Sequence, residues 1–176
     1  MNPIKQYLLG YLNSRANRKN KIPHINTSFR EAKEFGLLFT WEGEKKYSQV
    51  LEVVKFLEIH SKNAELLCYV KSKKENYMPE LPAFFDKDIT IFGQIRSDIV
   101  EAFINKPYDF LWHLDLNQNI MIQYILSRTY AKCRIGKTDL LYQQYYEMMI
   151  GSADQNNFKE LCDQVLHYTK SISTYA

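Results

Sequence analysis

The chain has 176 residues, 45% of them apolar and 14% aromatic, with only six Gly and five Pro. That is one domain, with or without an appendage, large enough to bury about two-thirds of its unfolded surface. It excludes a disordered or linker-rich chain, and no apolar run approaches the length of about 18 residues that a membrane span needs. The net charge of +3 hides an asymmetry: residues 1–30 hold Lys5, Arg15, Arg18, Lys19, Lys21 and Arg30 and no acid, so +6 sits there and −3 on the rest.

Ile4, Tyr7, Leu8, Tyr11 and Leu12 fall at i, i+3, i+4, i+7 and i+8. They predict an amphipathic helix over residues 3–16, with Pro3 in its first turn. Gln6, Tyr7 and Gly10 interrupt its apolar character and the basic residues follow it, which is not the order of a signal peptide. Residues 14–23 are polar and basic and read as a linker, with Pro23 disfavouring helix at Ile22. The expected organisation is a basic helix and linker over 1–30 and an α/β domain over 31–176.

The apolar run FGLLFTW (35–41) has the composition of a fully buried strand. A turn at 42–44 leads to a helix over 45–60, with Tyr47, Val50, Leu51, Val54 and Leu57 on one face and Val53, Phe56 and Ile59 widening it. ELLCYVK (65–71) is the second strand. A polar loop with Pro79 and Pro82 precedes a short third strand at 88–92. Ser97 or Asp98 caps a helix that Pro107 ends. Strand four spans 109–114, Asn117 caps a helix over 118–130, and strand five spans 132–135. That helix carries Ile120, Met121, Tyr124, Ile125 and Leu126 on its core face. Periodicity leaves 145–150 (YYEMMI) open between a sixth strand and a short helix. Asn156 or Asn157 starts a last helix to residue 172, striped by Phe158, Leu161, Val165 and Tyr168.

Strands alternating with helices predict a Rossmann-like three-layer αβα fold with a mostly parallel sheet of five or six strands. Right-handed crossovers favour the order 3-2-1-4-5. The segment PYDFLWHLDLNQNIMIQYILSRTYAKCRIG (107–136), a strand, a helix and a strand, carries this most clearly.

PYDFLWHLDL, a helix, then AKCRIGK resembles the N-terminal domain of heptosyltransferase-type glycosyltransferases, across about 30 residues. The resemblance implies a Rossmann-like sheet. In that family the donor nucleotide-sugar sits largely on a second domain that this chain lacks. The family's catalytic Asp in the first strand–helix loop has no match either, because that loop reads Thr40-Trp41-Glu42-Gly43. FGLLF, DITIFGQIRSDIVEAFINKPYDFLWHLDL, AKCRIG and YYEMMI together resemble a family of uncharacterised Bacteroidota proteins, a domain of unknown function. That resemblance implies the domain limits and a cytoplasmic setting, and no activity.

In open α/β sheets, ligands bind beyond the carboxyl ends of the strands where strand order reverses. Here that crevice lies between strands one and four. Its candidate ligand-binding residues are Trp41 and Glu42 (with Thr40 and Gly43), Asp115, Asn117 and Asn119, with Lys137 beside Gly136 further along the edge. A carboxylate pair, amides and an indole suit a small polar ligand with sugar-like hydroxyls. The bland counterpart is that Asp115 and Asn117 only satisfy a helix N-terminus. Neither GxGxxG nor a P-loop follows strand one, so no dinucleotide or other cofactor is named.

Cys68, Cys133 and Cys162 lack zinc spacing, so no metal site is expected, and reduced thiols suit a cytoplasm. His113 reads as a hydrogen-bonded, partly buried imidazole on the strand face opposite Trp112 and Leu114. Glu147 interrupts an apolar run and suits an edge position or a buried functional carboxylate. Tyr142, Tyr145 and Tyr146 suit core or a dimer surface.

Lys5, Arg15, Arg18, Lys19 and Lys21 suit an anionic membrane surface if the helix is not packed back on the body through Ile4, Leu8 and Leu12. Nucleic acid is the weakest partner reading, since no aromatic residues interleave with the basic ones over 13–21. No complete catalytic set is present. Three functions follow: a non-catalytic binding or interaction domain, a glycosyl- or nucleotide-handling enzyme at the crevice, and a membrane-peripheral adaptor.

Overall fold

The computed structural model describes residues 3–20, 27–71, 80–151 and 157–172. In chain order the elements are α1 (Pro3–Lys19), β1 (Glu34–Thr40), α2 (Glu44–Ile59), β2 (Asn63–Val70), β3 (Ala83–Phe85), α3 (Asp98–Asn105), β4 (Tyr108–His113), α4 (Ile120–Leu126), β5 (Ala131–Lys137), β6 (Met148–Ile150) and α5 (Phe158–Ser171). The linker residues Lys21 and Pro23, with His24, Pro79 and Asn156, lie outside the described residues.

The six strands form one sheet in the order β3-β2-β1-β4-β5-β6, and every neighbouring pair is parallel. Strand β1 is central and buried on both faces because its side chains alternate between two cores. Phe35, Leu37, Phe39 and Trp41 face α2 and α5, and Leu38 faces α3 and α4. This is the three-layer Rossmann-like arrangement expected from the alternating pattern, extended by β6 at one edge. The segment left open at 145–150 begins with a 3-10 turn (Gln143–Tyr145) and ends as β6.

Three elements depart from the sequence pattern. Helix α1 runs on to Lys19, through residues 14–19 that read as linker, because Arg15, Ala16, Arg18 and Lys19 are good helix formers and no Gly or Pro interrupts them. The third strand is Ala83–Phe85, directly after Pro82, whose carbonyl accepts from Cys68 N. Residues 88–92 instead leave a 3-10 turn and enter a small hairpin, in which Ile89 pairs with Ile95. A three-residue edge strand is too short to show alternation, whereas Ile89 and Ile91 imitate it. Helix α4 is seven residues, shorter than 118–130, and Asn119 caps it by accepting from Met121 N.

Helix α4 is buried on every side because α1 lies across its outer face; residues Met121–Leu126 are all buried. The docking face of α1 is offset from the expected apolar stripe, of which Leu12 is half-buried beside Gly93 and the Ile4 side chain lies outside the described residues. Leu9 and Asn13 are buried, while Tyr7, Leu8 and Tyr11 point to solvent. Asn13, Asn17 and Asn20, at i, i+4 and i+7, form the polar part of the contact beside Leu9. Asn13 donates to Ile120 O (3.1 Å), Asn17 to Gln144 O (2.6 Å) and Asn20 to Thr129 O (3.1 Å) and Ser127 O (3.3 Å). The asparagine oxygens take the reverse role, Asn13 Oδ1 accepting from Arg128 Nη1 (2.9 Å) and Asn17 Oδ1 from Arg134 Nη1 (2.8 Å).

Arg134 is buried on β5 and joins four segments. Its Nη1 donates also to Leu126 O (2.9 Å), and its Nε and Nη2 grip Glu147 in a bidentate pair. Glu147 Oε2 also accepts from Arg134 N (2.6 Å), so this carboxylate ties the chain entering β6 to β5.

Two predictions follow from this packing. A Cβ at Gly136 would collide with the Tyr146 ring. Gly136→Ala should therefore destabilise by about 1–3 kcal/mol, lowering the melting temperature by roughly 2–12 °C at this chain size; an unchanged melting curve would refute the contact. Asn17→Ala removes an acceptor from buried Arg134 at a cost of about 1–3 kcal/mol. Hydrogen exchange should then accelerate in α1 more than in β1 or β4.

Candidate functional site

At the carboxyl end of the sheet β1 and β4 diverge. Leu114 N donates to Leu38 O (2.8 Å), the last main-chain bond between them, and Trp41 N turns to Tyr69 O on the other side (2.7 Å). Thr40 N is left facing the gap. The Asp115 carboxylate fills it: Oδ1 accepts from Thr40 N at 2.9 Å, and Oδ2 accepts from Thr40 Oγ1 at 2.7 Å.

The carboxylate has further partners. Lys46 Nζ lies 2.5 Å from Asp115 Oδ1, and His113 Nε2 lies 3.0 Å from Oδ2. The side chains of Asp115 and Lys46 are only 2% and 7% exposed. Lys46 also reaches Glu42 Oε1 (3.2 Å), one helical turn earlier, and its ammonium sits 5.0 Å from the centre of the Phe158 ring. His113 Nδ1 lies 2.6 Å from the Tyr146 hydroxyl, which is 3.2 Å from Gln118 Oε1. The result is one continuous polar chain, Glu42–Lys46–Asp115–His113–Tyr146–Gln118, running through the crevice.

The electrostatics follow from burial. Desolvation opposes ionisation of Asp115, but the Lys46 charge, the His113 bond and the Lys46 bond outweigh it and hold the carboxyl below its ordinary range. An ionised carboxylate only accepts, so His113 Nε2 carries a proton. Burial pushes the Tyr146 phenol up, against the bond with Gln118.

The expected site residues take different places. Asp115 is enclosed at the centre of the network. Trp41 is buried in the core against Tyr47, ring centres 5.8 Å apart. Glu42 is half exposed and holds Lys46. Asn117 is exposed and caps nothing; Asn119 performs that role on α4. Lys137 donates to Leu116 O (3.1 Å). Asn117 and Lys137 share a polar groove of about 230 Å³ with Leu116, Gln118, Thr138 and Asp139. A separate groove of about 340 Å³ is lined by Glu42, Lys45, Lys46, Gln49, Asn157, Phe158 and Lys159. The structure thus brings Glu42 and Asp115 together through Lys46 and leaves Asn117 and Lys137 in a second place.

Lys46, His113, Tyr146 and Gln118 are the members that sequence reasoning left out of the site. Lys46 carried a signal: with Val50, Val53 and Leu57 it falls at i, i+4, i+7 and i+11, a lysine in line with a buried stripe. His113 is fully enclosed, more than the partial burial expected of it. Tyr145 and Tyr146 are core residues, and Glu147 is the partner of Arg134.

Among the described residues no group of three or more His, Cys, Asp or Glu is placed to hold a metal ion. Cys68, Cys133 and Cys162 are free thiols. Burial pushes Cys133 and Cys162 up to about 12, which makes them poor nucleophiles. Among the same residues no helix is long and apolar enough to cross a membrane.

A comparison with curated proteins finds no match. Among solved structures the chain is similar to the E. coli heptosyltransferase WaaC with ADP, at 11% identity and a TM-score of 0.49. That alignment covers 80% of this chain and 48% of the other, so the chain spans about half the length of the heptosyltransferase. A family model matches residues 4–172, nearly the whole chain. The chain belongs to that family, a family of unknown function (DUF6913).

Proposed function

We propose that this chain is a non-catalytic α/β binding domain, in which the position that serves ligands in related sheet topologies is used as scaffold. One observation carries the reading. The side chains at the crevice best suited to move protons, Asp115, His113 and Tyr146, are buried and bonded to one another or to Thr40, Lys46 and Gln118. A general acid or base must come within hydrogen-bond reach of substrate, and here the near neighbours are protein groups. A charge this deep is held by its partners, and removing one partner of a buried pair costs about 3–5 kcal/mol.

Chemical footprinting tests the reading. Diethyl pyrocarbonate should modify the exposed His60 and His167 rapidly and His113 only on unfolding. Comparable rates at His113 in the native protein would show an open crevice and refute the scaffold role. Thermal unfolding against nucleotides, nucleotide-sugars and sugar phosphates gives the second test. A crevice ligand at a hundredfold its dissociation constant would add about 2.7 kcal/mol, a shift of about 5–10 °C at this chain size. No such shift is expected; one that disappears in Glu42→Ala or Asn117→Ala would favour an enzyme or a small-ligand site.

The pH dependence has a definite sign. With its carboxyl held below the ordinary range, folded Asp115 resists a proton that the unfolded chain takes up first. Its contribution is complete above the ordinary carboxylate range, roughly pH 4–5, and is lost as pH falls through its folded value. Asp115→Asn should therefore be less stable than the parent at neutral pH and lose less stability between neutral pH and pH 3. Asp109 and Glu34, also held low, keep a residual slope in the variant. Parallel pH–stability curves for the two proteins would contradict the assignment.

A further inference from the structure

Seven of the eleven large apolar side chains exposed among the described residues lie on α1 or on the two segments that touch it. Because α1 docks through Leu9 and its asparagines, three members of its apolar row face out: Tyr7 is 83% exposed, Tyr11 54% and Leu8 38%. On one flank a hairpin ends in Ile91 and Phe92, both exposed. Gly93 closes its turn at φ 74°, with Gly93 N donating to Thr90 O (3.1 Å). Gly93 also abuts Leu9 and Leu12 of α1. Turn tips ordinarily carry Gly, Asn, Asp or Ser, so two bare apolar residues there are out of place for a surface that only meets water. On the other flank Leu140 and Leu141 are exposed in the turn that runs on to Gln144, the carbonyl held by Asn17.

The same helix supplies the charge. Tyr7, Tyr11, Arg15 and Arg18 fall at i, i+4, i+8 and i+11, one outward row whose first half is aromatic and second half cationic. Arg15, Arg18 and Lys19 are exposed, and α1 contains no acidic residue.

We propose that α1 and its two flanking turns form a face that docks on an anionic phospholipid bilayer. The charge of α1 is complementary to such a surface, and tyrosines are at home at the headgroup level. The layout favours a bilayer over an acidic protein. The apolar groups stand in three separate units, a helix row and two turn tips, and a fluid headgroup layer admits each tip independently. A protein partner would have to match all three in shape. The proposal names the partner class for the binding-domain reading and rests on it; footprinting of His113 can fail while vesicle binding succeeds, and the reverse.

The test is flotation of the full chain with vesicles of phosphatidylcholine mixed with phosphatidylglycerol, and of phosphatidylcholine alone. The parent should float with the anionic vesicles and be released by salt. Each basic residue near an anionic surface contributes about fivefold in affinity, so Arg15→Gln with Arg18→Gln should weaken binding by about tenfold or more. Tyr7→Ser with Tyr11→Ser, and separately Leu140→Ser with Leu141→Ser, should also weaken it. All six positions are exposed, so each variant should keep the parent melting temperature, which is measured alongside. A folded parent that ignores anionic vesicles, or variants that float like the parent, would overturn the proposal. So would retention on soluble polyglutamate matching that on vesicles and unaffected by the serine substitutions, which would assign the face to an acidic protein.

Discussion

The divergence of β1 and β4 at their carboxyl ends is the constraint around which this structure is organised. Any sheet with this strand order opens a gap there, and the backbone N–H facing the gap must find an acceptor. Many proteins leave the gap to a ligand. Here Asp115, two residues beyond β4, turns its carboxylate back onto Thr40. That choice imposes others. A carboxylate out of water requires a counter-charge, which explains a lysine on the buried stripe of α2, and its oxygens each accept more than one bond, which explains a histidine at the end of β4 sharing the second oxygen with Thr40. The histidine then needs a partner for its other nitrogen, and Tyr146 is held in place between Gly136 and Gln118 to provide it. Each polar residue in the chain is accounted for by the one before it.

The amino end of the same strand pair shows the same solution in weaker form. Asp109, near the start of β4, accepts from Lys33 N (2.7 Å) and Glu34 N (3.1 Å) as the chain enters β1, and from Lys132 Nζ (2.7 Å) on β5. Desolvation opposes its ionisation, and the Lys132 and backbone bonds prevail and hold it low. Two aspartates thus clamp the ends of β1 to β4. The difference between them is solvent: Asp109 pairs with a partly exposed lysine, where screening weakens the bond, while Asp115 and Lys46 are both enclosed. Loss of either clamp should loosen the central strand pair, but only at Asp115 is a stranded charge left in the core.

How much of this was legible in the sequence depends on whether the feature is apolar or polar. The order 3-2-1-4-5 was readable because FGLLFTW, ELLCYVK and YDFLWHL are runs that only a doubly covered parallel strand accommodates. The crevice was locatable for the same reason, and Asp115 and Glu42 were recognisable as its carboxylates. What the carboxylates do was not readable, because the answer lies in Lys46 and Tyr146, 69 residues before and 31 after Asp115. Hydropathy assigned a lysine and a tyrosine to surface or core without regard to partners. The docking face of α1 was misread for a related reason. Periodicity marks the apolar row as the one that packs, yet Leu9 and three asparagines make the contact, because the neighbouring surface offers, beside an apolar patch, main-chain carbonyls of α4 and its following turn and the side chain of Arg134.

That inversion links the fold to the proposed docking face. A helix docked by its apolar side would present a polar, basic face and nothing else. Docking by asparagines is weaker per unit area, since each bond replaces one made to water and contributes about 1 kcal/mol net. It is also directional, so it holds α1 in one rotational setting and leaves Tyr7, Leu8 and Tyr11 outside. Arg134 couples that setting to β5, β6 and the end of α4 through a single guanidinium. The outward apolar row is therefore not a failure of burial. It is held outward by a polar network centred on buried Asn13 and Arg134, and that network fixes the geometry of the proposed docking face.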